Sequence, residues 1–81
     1  MTRREWIGPR EIARVLEVTD ALGLHREGVR VPLDTADPAV VEVQAGKLVV
    51  IAPAVGDFEA FIAGLASVIR ATPGVERVKR A

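Results

Sequence analysis

The residues able to do covalent or acid–base chemistry are few: one histidine (His25), one serine (Ser67), and no cysteine or tyrosine. A Ser-His-Asp arrangement would have to use Ser67, which sits among alanines in a helical pattern and reads as a small packing residue. His25 follows Gly23 beside Arg26 and Glu27; a general base or metal ligand is one role, and a solvated loop histidine explains it as well. A lone histidine builds no zinc site without several carboxylates from elsewhere. Asp34 and Asp37 in the DTADP stretch offer a pair of carboxylates for a divalent cation, yet turn and cap roles account for both. Neither G-x-G-x-x-G nor G-x-x-x-x-G-K occurs, so no phosphate loop is expected. The expectation is therefore a protein that is not an enzyme, with no catalytic residue, no metal ligand and no cofactor. A site shared between subunits is the one arrangement in which so sparse a set would still act as an enzyme.

Composition bounds the elements that carry these residues. Eighty-one residues make one small domain, and 49% of them are hydrophobic, high for so surface-dominated a fold. A subunit interface would absorb that excess, so self-association is expected. Formal net charge is zero, which removes any global field toward nucleic acid or acidic lipid. The charge is nonetheless uneven: Arg3, Arg4, Arg10 and Arg14 mark one end, and Arg77, Lys79 and Arg80 the other. No apolar core of signal-peptide length opens the chain, and the run Leu48 to Val55 is less than half of a span of about 20 residues, so a cytoplasmic protein without a transmembrane segment is expected.

Periodicity gives the elements. Pro9 opens a helix over about 9–22, with Ile12, Val15, Leu16, Thr19 and Leu22 on one stripe and Gly23 as its stop. GVRVPLD alternates as a short edge strand or extended arm, its pairing left open. AVVEVQAGKLVVIAP reads as a hairpin: Val43 faces Leu48, Val41 faces Val50 and Ala39 faces Ala52, with Glu42 opposite Val49 and Val40 opposite Ile51. Ala45 would strain in a mirror-image two-residue turn, so a slightly longer loop with Gly46 at positive φ is expected. LVVIA is apolar on both faces and belongs inside a sheet. Asp57 caps a second helix whose core stripe is Phe58, Phe61, Ile62, Leu65 and Ile69, beside a small-residue stripe of Ala60, Ala63, Gly64, Ser67 and Ala71. Thr72-Pro73-Gly74 ends it, and VERVKRA is read as a last edge strand. The sum is one α+β domain over 1–81, in the order α-β-β-β-α-β. It forms a two-layer sandwich of a small mixed sheet, a central antiparallel hairpin and two helices, with 1–8 as a flexible arm.

Two resemblances bear on function. VVEVQAGKLVVIAPAV followed by DFEAFIAGLASVIRATPGVERV is similar to a BON-type domain over about 39–79, with Gly46 at the ribbon turn and Pro73-Gly74-Val75 with Val78 at the closing strand. That resemblance implies binding to membrane surfaces, partner proteins or small ligands rather than catalysis. REIARVLEVTDALGLHREGVRVP resembles the helix-turn-helix of MerR-like regulators, which would make the hairpin a DNA-binding wing. Nucleic-acid contacts would then come from Arg14, His25, Arg26, Arg30 and Lys47, and Trp6 with the terminal arginines would touch phosphate. The favoured reading is a non-enzymatic interaction or surface-binding module whose partner is itself or another protein. Its interface candidates are Val40, Val49 and Ile51 on the second sheet face and Ala60, Gly64 and Ser67 on the small stripe. The ligand and pathway are not written in these residues.

Overall fold

A computed structural model describes residues 3–81. The first helix, α1 (Pro9–Ala21), opens with Pro9 in its first turn, and the Glu11 carboxylate accepts the Gly8 N–H at 2.8 Å. Gly23, at φ +80°, reverses the chain so that the Leu24 N–H reaches the Thr19 carbonyl at 3.0 Å and the Leu24 side chain enters the core. The second helix, α2 (Phe58–Ala71), has Asp57 as its N-cap, accepting the Glu59 N–H at 3.0 Å.

The sheet has four strands, β1 (Val29–Arg30), β2 (Thr35–Ala36), β3 (Val40–Gln44) and β4 (Lys47–Pro53), of which the first three all pair with β4. β3 pairs antiparallel with β4 in the register expected from the apolar pattern, Val43 on Leu48, Val41 on Val50, Glu42 on Val49 and Val40 on Ile51. β1 runs parallel to the start of β4, Val29 on Leu48 and Arg30 on Val49, and β2 runs parallel to its end, Thr35 on Ala52 and Ala36 on Pro53. The sheet is therefore mixed, and GVRVPLD does pair. β4 is apolar on both faces because it is central: Leu48, Val50 and Ala52 are fully buried. Both helices lie on that face, where Val15, Ile62, Leu65 and Ile69 meet Leu48 and Val50 in one core.

Four expectations are corrected. The hairpin turn has two residues, not more: Ala45 (φ +52°) and Gly46 (φ +77°) are both left-handed, closed by Gln44 opposite Lys47. Ala45 thus holds a conformation that costs an L-residue about 1 kcal/mol. Ala45→Asn, which suits that conformation, is expected to raise stability by about 1 kcal/mol, read as a rise in Tm of about 4–8 °C by thermal denaturation.

The last strand is the second correction. Val75–Arg77 is a 3-10 turn, after which the tail makes a single bridge between Arg80 and Leu24. Valines three apart, at 75 and 78, suit a turn of three residues better than an alternating strand. The tail lies so close to Gly28 that a Cβ there would stand 3.0 Å from Val78 Cγ1.

Third, residues 1–8 do not form a free arm over their described part; Met1 and Thr2 lie outside the described residues. The Arg4 N–H bonds the Ala54 carbonyl at 2.8 Å, its guanidinium reaches the Pro53 and Gly56 carbonyls, and Ile7 is buried. Fourth, no helix-turn-helix forms. Residues after Gly23 make a 3-10 turn (Arg26–Gly28) and then β1, and the hairpin is built into the sheet through β4 rather than projecting as a wing.

One ion pair joins the helices: Arg14 Nη2 lies 2.6 Å from Glu59 Oε1. The hydrogen bond from Arg14 holds the Glu59 carboxyl below its ordinary value. Hydrogen bonds likewise hold Asp20 down beside Arg26 and Glu27 down beside Lys79. Each carboxylate binds fewer protons folded than unfolded, so its contribution is full above the ordinary carboxyl range of about 4 and is lost as pH falls through the depressed folded values. Glu59→Gln is expected to lower stability slightly near neutral pH and to match the wild type at acid pH, which flattens the acid side of the stability–pH curve, as urea titrations at several pH values would record.

Candidate interaction surfaces

Hydrogen bonding within the fold satisfies the interior. Thr19 and Thr72, the buried polar residues among those described, donate to the Leu16 and Val68 carbonyls at 3.1 and 2.7 Å. Among the described residues no buried side-chain polar atom lacks a partner, and no three His, Cys, Asp or Glu converge on a point fit for a metal ion. His25 stands at the entry of the 3-10 turn with Nδ1 accepting the Glu27 N–H at 3.0 Å. Ser67 is exposed on α2. Asp34 bridges to Trp6 in the loop before β2, and Asp37 is exposed just after that strand. These groups are carried by separate elements.

The nucleic-acid candidates are spread in the same way. Arg14 is held by Glu59 and Glu17 at the helix pair, and Arg26 by Asp20 at the end of α1. Arg30 and Lys47 sit on the sheet, Arg30 beside Val49 and Lys47 at the hairpin turn. With two of the five engaged by carboxylates and His25 turned to its own backbone, they form no common row along one groove-sized element.

The six interface candidates fall on two surfaces. Val40, Val49 and Ile51 lie on the sheet face away from the helices. There Val49 is only 5% exposed, enclosed in register between Arg30 and Glu42, and is not available to a partner; Val40 and Ile51 are half-buried. Ala60, Gly64 and Ser67 are all exposed on α2, together with Ala63, Val68 and Ala71.

The α2 surface departs from ordinary helix patterning. A surface helix normally turns charged residues outward opposite its core stripe. Here Ile62, Leu65 and Ile69 point inward, while the outward residues from Ala60 to Val68 include no charge; Glu59 and Arg70 stand at the two ends. Gly64 lies at the middle of this face, and a Cβ there would meet nothing within 4 Å. Its purpose is therefore not close packing within the fold, although it costs about 1 kcal/mol of helix stability relative to alanine. Val68, 49% exposed and one turn beyond Gly64, was not among the six candidates; its i+4 spacing from Gly64 is the signal that would have found it.

No family model, no curated protein and no solved structure matches the chain.

Proposed function

We propose that this protein is a non-enzymatic interaction module that self-associates through the outer face of α2, crossing the same helix of a second copy near Gly64. The observation that carries this reading is the uncharged, exposed run of Ala60, Ala63, Gly64, Ser67 and Val68 opposite a fully formed core stripe. A two-fold contact lays a surface on itself, so a charge at its axis would meet its like. This face has none. Small side chains let two helix axes approach to the short end of the usual 8–10 Å, which gives the otherwise costly Gly64 a role. The 14 residues of α2 extend about 21 Å, so a helix-on-helix contact is small, and a dissociation constant near 10 μM is the expected order. The resemblance to BON-type domains points the same way, toward binding rather than chemistry.

Cysteine chemistry tests this geometry, because the chain has no cysteine of its own. Gly64→Cys is expected to oxidise to a disulfide-linked dimer within the self-associated species, since bridging needs Cα atoms about 4.4–6.8 Å apart. Arg10→Cys, exposed on the other helix, should stay largely reduced under the same conditions. Equal rates for the two variants would show random collision and sink the α2 contact.

A further inference from the structure

A cavity of about 190 Å³ opens where the ends of the two helices meet the chain terminus, lined by Leu22, Leu24, Ile69, Arg70, Val75 and Arg80. Leu24 and Ile69 underlie it but are all but covered, 2% and 1% exposed, so its accessible apolar wall is Leu22 and Val75, both half-buried. Its polar part is two exposed guanidiniums. No carboxylate lines it, and among the described residues neither Arg70 nor Arg80 forms a salt bridge.

Helix capping accounts for little of this pair. The carbonyls of Val18, Thr19 and Asp20 at the end of α1 are taken by the Leu22, Leu24 and Gly23 N–H groups. At the end of α2, Val68 accepts the Thr72 hydroxyl and Ile69 the Thr72 N–H. Arg80 makes one long bond, 3.3 Å, to the Leu22 carbonyl, and its other donors have no protein partner among the described residues.

We infer that this cavity binds a monocarboxylate with a short apolar body: the body rests on Leu22 and Val75, and the carboxylate sits between Arg70 and Arg80. The size fits, since an apolar cavity of about 150 Å³ holds a benzene-sized molecule. The charge fits, since a guanidinium presents a fork of donors that matches a carboxylate. The same chemistry is offered by a free small acid and by the last residue of a peptide with an apolar side chain. The site is separate from the Gly64 face, so it stands or falls independently of self-association.

The experiment is a titration of the full chain followed by NMR of the Leu22, Leu24, Ile69 and Val75 methyl groups. Probes are benzoate, benzyl alcohol, benzylammonium, and N-acetyl-glycyl-leucine with a free or an amidated carboxyl end. Benzoate or the free-acid peptide should shift these methyls saturably with a dissociation constant of about 1 mM or below. Whichever binds tighter identifies the source, free acid or chain terminus. Arg80→Gln and Arg70→Gln, both at exposed positions, should each weaken binding about tenfold with the methyl spectrum otherwise retained. Val75→Phe, which fills the cavity, should abolish it. The proposal is overturned if neither acid saturates, if benzyl alcohol or benzylammonium binds as well as benzoate, or if Arg70→Gln or Arg80→Gln binds unchanged.

Discussion

Leu65→Ala is expected to destabilise the protein by about 3–5 kcal/mol, as large an effect as a core truncation gives. Leu65 is fully buried and belongs to the core in which α2 meets Val15 of α1 and Leu48 and Val50 of β4. Removing its branched side chain costs the transfer free energy of the lost atoms and leaves a cavity that a sheet backed by two helices closes only in part. Total stability for a domain of this length is about 4–12 kcal/mol, so the variant loses a large share of it. Urea unfolding with an unchanged m value and a much lower midpoint is the expected record. A loss below about 1 kcal/mol would mean that α2 does not pack as described.

Gly64→Arg, one residue earlier, should do the opposite to the fold and the worst to the assembly. A Cβ at Gly64 enters open space, and arginine favours helix over glycine by nearly 1 kcal/mol, so the isolated subunit should gain stability by about that amount. On a two-fold helix crossing the same change drives two long cations together in the tightest part of the contact. Dimer association should therefore weaken at least about 100-fold, leaving a stable monomer. The two signatures separate the explanations: a general folding defect lowers both stability and assembly, whereas this variant raises one and removes the other. Gly64→Ala offers a gentler form, with a similar gain in stability and a weaker loss of association.

What the chain states openly is what its local periods encode. The stripe from Ile12 to Leu22, the Asp57 cap and the alternation of Val41 and Val43 against Leu48 and Val50 each involve neighbours in sequence, and the structure follows them. The pairing of β1 and β2 with β4 joins residues 17–19 positions apart through two-residue contacts, too short to leave an alternating signature. The docking of the amino-terminal segment is made by backbone groups and by the Arg4 guanidinium on the Pro53 and Gly56 carbonyls, which no side-chain pattern reports. At the turn the local signal misleads, because alanine taken alone disfavours positive φ. The twist of two well-paired strands holds it at positive φ despite the local cost. The sites divide likewise. The small stripe of α2 was visible as a helical period, but its exposure was not. Arg70 and Arg80 are ten positions apart in different elements, and only the fold brings them to one cavity.

Sedimentation equilibrium of the unmodified chain from about 1 μM to about 1 mM addresses the α2 contact most directly. The predicted result is a mass rising from 8.7 kDa to twice that value, with the midpoint near 10 μM, and a Gly64→Arg variant that stays at 8.7 kDa throughout while remaining folded. A wild-type mass fixed at 8.7 kDa across the whole range, or a Gly64→Arg variant that dimerises as the wild type does, would contradict self-association through α2.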